Sequence, residues 1–244
     1  GRQRIAWGTG FAWNPTDLLN PYNPAAIELD EKAGIDALHV SAATGDFSHV
    51  EFAFAPASDR ENVSAAGRVT SHWGEYDISA MGGYFREDWV VGGDFAGYVG
   101  DAGLRGEAAL TIPEEGDAYI RFTLTVDRSF QGDVYAFAEF YLNGQGTTDK
   151  SDYDFGRLLT GRVFNVARDY LALSATKAIT PLFAGGIYGL VNIDDQSALI
   201  GPSFSYSLRQ DLEIGAAVYL FAGKNDTEFG RQENAYFGYL QWFF

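Results

Sequence analysis

Between residues 119 and 127 the chain alternates with a period of two. Ile120, Phe122, Leu124 and Val126 fall on one side, and Tyr119, Arg121, Thr123, Thr125 and Asp127 on the other. Leu104, Gly106, Ala108, Leu110 and Ile112 oppose Arg105, Glu107 and Thr111 in the same way, as Leu212, Ile214, Ala216, Val218 and Leu220 oppose Glu213, Ala217 and Tyr219. Such alternation is the mark of strands whose two faces meet different surroundings. It predicts fourteen strands, over residues 3–11, 35–43, 47–56, 62–73, 75–85, 88–98, 102–112, 118–127, 133–142, 167–177, 182–191, 196–206, 211–221 and 235–244. Clusters of Gly, Asp, Asn or Pro separate them, and no helical period runs for a useful length. Pro202 falls inside the strand 196–206, where it removes a ladder donor and is tolerated at a bulge or an edge.

Alternation alone does not say which face is outside, because an oily core and a wet lumen give the same pattern. Three features favour a membrane. Aromatic residues stand at both ends of apolar faces, as in Tyr76 to Tyr84 and Trp89 to Phe95, matching girdles at two interfaces. Spans of about ten residues suit tilted membrane-crossing strands. The connections also sort by length. One alternate set is residues 12–34, 57–61, 86–87, 113–117, 143–166, 192–195 and 222–234; the other lies near 44–46, 74, 99–101, 128–132, 178–181 and 207–210 and is uniformly short. Long outer loops and short periplasmic turns are the outer-membrane arrangement, with both termini periplasmic. The closing strand, Tyr236 to Phe244, carries an apolar or aromatic residue at every second position and stops on Phe. It resembles the C-terminal signature of bacterial outer-membrane β-barrels.

Composition changes this picture little. The 244 residues include 29 Gly and 16% aromatics, without an apolar run near the roughly 20 residues of a transmembrane helix. Mean hydropathy is slightly polar at −0.14, as expected where only alternate residues see lipid. Absence of cysteine excludes a disulfide framework and any Cys metal site. A net charge of −16 argues against nucleic acid, which needs a basic stripe. No signal peptide stands at Gly1, so a leader is expected either to have been removed or to lie upstream. The long connections are acidic: Asp30 and Glu31, Glu114 and Glu115, Asp152 and Asp154, Asp194 and Asp195, Asp226 and Glu228. A solvated surface accounts for them by default; the sharper alternative is Ca²⁺ or Mg²⁺ bridging to anionic lipopolysaccharide.

The segments GRQRIAWGTG, NPTDLLNP, GGDFAGYVGDAGLRGE and IGPSFSYSLRQDLEIGAAVYLFAG resemble those of uncharacterised porin-like outer-membrane proteins and, more distantly, the alginate-export type of barrel. The resemblance runs the whole length and carries no catalytic motif, so it implies architecture more than substrate. In such proteins GRQRIAWG sits inside a strand that follows others, whereas here it opens the chain. One barrel domain over 1–244 is expected, with the existence of upstream strands left open.

The inward set under this phase holds His49, Glu51, Arg68, His72, Asp77, Arg105, Glu107, Arg121, Asp127, Glu139 and Glu213. Charges of both signs facing one cavity would tune ion selectivity as pore-lining rings do. Alternatively, Arg105, Glu107 and Arg121 pair between strands and fill a narrow lumen. Two long connections are candidate constrictions. Residues 12–34 combine Pro15, Pro21 and Pro24 with Leu18 and Leu19; residues 150–165 interleave Phe155, Leu158, Leu159, Val163 and Phe164 with Arg157 and Arg162, amphipathic enough for a short helix in the lumen or on the rim.

Enzyme chemistry finds little support. His39, His49 and His72 are the only histidines, no zinc spacing or GxSxG elbow occurs, and the pairs Gly82-Gly83, Gly92-Gly93 and Gly185-Gly186 lie inside strand patterns. No catalytic, metal or cofactor site is expected. The expectation is an all-β protein, a transmembrane antiparallel up-and-down barrel of about fourteen strands in the Gram-negative outer membrane. It would act as a porin-like channel for passive diffusion of small polar or charged solutes, in contact with membrane lipid and lipopolysaccharide. Homo-oligomers and envelope-complex subunits are further candidate partners. The alternatives are a plugged barrel serving as a scaffold subunit and an outer-membrane hydrolase with His72 as base.

Overall fold

The computed structural model describes residues 1–19, 24–25, 34–159 and 163–243. The protein is all-β. Two short strands, β1 (Arg2–Gln3) and β2 (Ile35–Asp36), pair antiparallel with each other. Thirteen more form one antiparallel sheet in which neighbours in sequence are neighbours in the sheet. They are β3 (Leu38–Gly45), β4 (Ser48–Ala55), β5 (Ser64–Trp73), β6 (Tyr76–Phe85), β7 (Asp88–Val99), β8 (Ala102–Ile112), β9 (Tyr119–Phe130), β10 (Val134–Asn143), β11 (Asp169–Thr180), β12 (Phe183–Asn192), β13 (Ser197–Arg209), β14 (Leu212–Ala222) and β15 (Ala235–Trp242). The chain divides into two compact units, residues 1–125 with 141–145, and residues 126–140 with 146–244.

Thirteen of the fourteen expected strands are present in the large sheet. The expected first strand, 3–11, is not among them. Ile5 and Trp7 alternate as a strand would, but both are buried against the sheet, and the amides of Thr9 and Gly10 bond to the Glu107 side chain and not to a neighbouring strand. Pro202 also differs from expectation. The β12–β13 register runs through it without a shift, Ile187 opposite Pro202, and in the β13–β14 ladder the pairs at Gly201 and Pro202 are missing while the register on either side agrees. A gap in the ladder, and not a bulge, accommodates the missing donor.

Connections keep the expected asymmetry. After β3, β5, β7, β9, β11 and β13 they cover only 46–47, 74–75, 100–101, 131–133, 181–182 and 210–211. After β4, β6, β8, β10, β12 and β14 they cover 56–63, 86–87, 113–118, 144–168, 193–196 and 223–234. Gly74, Gly100 and Gly132 hold positive φ in the short set. The only two-residue member of the longer set is Arg86-Glu87, at φ 45° and 81°, the primed geometry that usually selects Asn-Gly. The stretch 150–165 carries a turn of 3₁₀ helix at Lys150–Asp152 and one short helix, α1 (Gly156–Leu159).

In the first unit the sheet's two faces differ sharply. On β8, Leu110 and Ile112 are 43% and 49% exposed while Ala109 and Thr111 are 0% and 1% exposed. Leu38, Val40, Phe52, Phe54, Val69, Val91, Ile120 and Leu124 extend the exposed apolar face. The opposite face is lined by small residues, Ala53, Ala66 and Ala109, with Met81, Phe85 and Val90, and it is covered by Ile5, Trp7, Leu19 and Ala37. Small side chains on the sheet leave the thickness that the indole of Trp7 fills. Trp13 stacks on Tyr141 with ring centroids 4.9 Å apart. In the second unit Leu173, Ile187, Ile200 and Phe204 are exposed, whereas Tyr170, Ala172, Leu190, Asn192, Ser197 and Leu199 are buried.

Candidate functional site

Polar chemistry in the first unit gathers on the covered face. Alternation and register put His39, His49, Glu51, Arg68, His72, Asp77, Ser79, Asp94, Arg105 and Glu107 on the side of Ala53 and Ala109. Glu51 lies between two imidazoles, 3.2 Å from His39 and 3.7 Å from His49. Arg68 forms a buried ion pair with Asp94 at 3.1 Å and donates to the Ser79 hydroxyl at 2.9 Å, and that hydroxyl in turn bonds Asp94. Nearer the short turns, His72 meets Asp77 at 3.1 Å on an exposed stretch of the strands. Arg105 lays its guanidinium 4.5 Å above the Phe11 ring, and Arg121 hydrogen-bonds the Tyr141 side chain.

Glu107 is engaged at both carboxylate oxygens. Its side chain is buried, and one oxygen accepts the amides of Thr9 and, at 2.5 Å, of Gly10. The other accepts the Thr16 amide at 3.2 Å and the Thr16 hydroxyl at 2.9 Å. A single carboxylate thus supplies the acceptors that residues 9–16 lack for want of a partner strand, an arrangement that charge makes stronger than neutral pairing. Gly8 fits this turn because its φ is +95° and a Cβ there would lie 2.7 Å from both Glu107 oxygens. Gly8→Ala is therefore expected to weaken the seat of the segment by about 1–3 kcal/mol, combining backbone strain with crowding. The measurement is acrylamide quenching of Trp7 and Trp13, which are buried while Trp73, Trp89 and Trp242 are exposed; unchanged quenching would refute it.

The register places Glu51, Arg68, His72, Asp77, Arg105 and Glu107 on one face, and Glu51, Arg68 and Glu107 make buried or half-buried contacts there. The phase of Asp94 is blurred in the sequence because β7 is largely apolar on both sides of Gly92-Gly93. In the second unit Asp127 and Glu139 are buried on β9 and β10. Glu213 accepts from the Tyr239 hydroxyl at 2.9 Å on an exposed part of β14. Of the constriction candidates, Leu18 and Leu19 pack into the first unit's core. Phe155 stands edge-on to Tyr153 with the Arg231 guanidinium 3.9 Å above its ring. Arg157 is exposed and Leu158 half-buried at α1, and Arg162 lies outside the described residues.

A second polar centre, unsuspected from the pattern, lies under the long connections of the second unit. Buried Glu228 accepts from the Tyr170 hydroxyl at 2.7 Å, from Asn192 Nδ2 at 2.8 Å and from the Val166 amide at 3.4 Å. Its own amide donates to Asp195 at 2.7 Å. Asn192 Oδ1 accepts the amides of Asp194 and Asp195, and Asp194 accepts those of Arg168 and Asp169. The sequence shows Glu228 only as one acid in an acidic loop, since a connection has no period from which burial can be read.

Among the described residues no group of three or more His, Asp or Glu side chains is arranged to hold a metal ion. No helix there is long and apolar enough to cross a membrane, which says nothing about crossing by strands. No protein-family model, curated protein or solved structure matches the chain.

Proposed function

We propose that the chain spans a bacterial outer membrane as an antiparallel up-and-down β-barrel and works as a porin-like channel, not an enzyme. Small polar or charged solutes pass by diffusion, and residues 4–19 form its constriction. The observation that carries this reading is the polarity of the faces. Large apolar side chains such as Leu110, Ile112, Ile120, Leu124 and Ile200 are exposed, while Glu107, Thr123, Thr125, Asp127 and Glu139 are buried. Water as the outer solvent would reverse that choice; hydrocarbon selects it. Uniformly short turns after every odd-numbered strand from β3 to β13 support periplasmic placement of that end, with the longer connections outermost, among lipopolysaccharide.

A second reading, a sealed barrel acting as a scaffold subunit, is favoured by one observation: the polar face of the first unit is covered, with Trp7 and Leu19 packed over it and Glu107 fully engaged. Current across a planar lipid bilayer under a salt gradient separates the two. Discrete conductance steps are expected, and the sign of the reversal potential reports whether Glu51 and Asp77 or Arg105 and Arg121 dominate the path. Silence from a protein shown to be folded by heat-modifiable migration would refute the channel and leave the scaffold.

A further inference from the structure

We propose that the described parts of the long connections of the second unit, 146–159, 163–168, 193–196 and 223–234, form a pH-sensitive latch centred on Glu228, which acid tightens and alkali loosens. The geometry is that of three loops tied to one buried carboxyl. From the first loop the Val166 amide reaches Glu228, and the Ala167 amide donates to the Tyr170 hydroxyl that itself bonds Glu228. From the second, Asp195 accepts the Glu228 amide and, through its other oxygen, the Ser197 amide at 2.8 Å. In the third, Phe229 follows Glu228 inward and its amide donates to Ser197 Oγ at 3.1 Å. Asn192, at the end of β12, joins all three through Glu228, the Asp194 and Asp195 amides and the Tyr153 hydroxyl.

The titratable groups facing Glu228 are Tyr170 from β11, Tyr153 from the first loop and Asp195 from the second. The described cations of these loops act on other partners: Arg168 on Asp169, Lys150 and Lys224 on Asp226, and Arg231 over the Phe155 ring. Burial, reinforced by the Asp195 carboxylate, pushes the Glu228 carboxyl up to about 7 against the donors Tyr170, Asn192 and Val166. The same burial raises the Tyr153 hydroxyl, which stays neutral throughout.

The sign follows from linkage. Released into water, Glu228 ionises as an ordinary glutamate near pH 4.5, whereas the latched form holds its proton to about 7. Between those values the latched state binds a proton that the released state does not, so acid favours latching and the advantage is lost as pH rises through the upper value. The shift corresponds to a change on the order of 100-fold in the latch equilibrium. Nothing in this proposal depends on what the barrel conducts.

Hydrogen exchange on the full chain in detergent micelles tests it, at about pH 5 and about pH 8, either side of the titration. After correction for intrinsic rates, amides of 163–168 and 223–234 should lose on the order of 100-fold protection at the higher pH. Protection in the strands β11 to β13 should not change. Glu228→Gln, neutral at both values, should abolish the pH difference. Equal wild-type protection at both pH values, or a difference that survives in Glu228→Gln, overturns the proposal. Should that variant leave the strands unprotected, Asp195→Asn decides. Removing the neighbouring charge should move the midpoint of loop release to lower pH, and an unmoved midpoint overturns the latch.

Discussion

Glu107→Ala releases residues 4–19 from the sheet, at a cost of about 1–3 kcal/mol for each buried donor left without an acceptor. Truncation leaves the amides of Thr9, Gly10 and Thr16 and the Thr16 hydroxyl without their acceptor, and no partner strand stands ready to take them. Glu107→Gln falls between, because one oxygen can still accept while the new amide group confronts donors. The loss is confined to the segment. Backbone ladders hold β8 to β7, with Asp94 opposite Glu107, and these do not need the carboxylate. Limited proteolysis should therefore cut near Trp7 to Trp13 in Glu107→Ala while migration on gels stays heat-modifiable. In the bilayer experiment the same variant should conduct more than the wild type. A segment that remains protected from protease in Glu107→Ala would show that burial of Ile5, Trp7 and Leu19 suffices to hold it.

The pattern of period two carried the strands because each residue's choice of solvent is written in its own side chain. Ile120, Leu124 and Val126 against Thr123, Thr125 and Asp127 can be sorted without knowing any partner. It carried the connections as well, since they are what remains between strands. The segment 4–19 was beyond it. Ile5 and Trp7 have strand spacing, and only the position of Glu107, roughly a hundred residues away in sequence, decides that their neighbours' amides turn inward to a side chain. The Glu228 centre fails for a related reason. Tyr170 and Asn192 belong to different strands, and nothing local announces that their ends converge on one loop acid, or that Ser197 on a third strand takes the amide of the residue after it, Phe229. Alternation thus says which charged residues share a face and not which of them are partners. The period of two shows Arg68 on the polar face, whereas its partner Asp94 is masked by the glycine pair immediately before it.

Leu124→Arg tests the outer face and hence the membrane itself. Leu124 lies midway along β9 and is exposed. If its surroundings are hydrocarbon, arginine there costs about 2–4 kcal/mol at the bilayer midplane, falling to about 0–1 kcal/mol near an interface. If its surroundings are water, the same exchange on an exposed strand changes stability by about 0.5 kcal/mol or less. Ile120 and Phe130, near the two ends of β9 and equally exposed, supply the depth scale. Urea titration of folding into lipid vesicles should give losses that peak at Leu124 and decline toward Ile120→Arg and Phe130→Arg. A flat profile would remove the membrane reading, because depth in hydrocarbon is what should set Leu124 apart from the two strand ends. A peaked profile would fix the depth of the lipid band against β9, and the aromatic residues Tyr84 and Trp89 at one end of β6 and β7, with Tyr76 and Phe95 toward the other, should then fall at its two borders. The alternation from which the fold was read would then be a record of two solvents, one on each side of a single layer of strands.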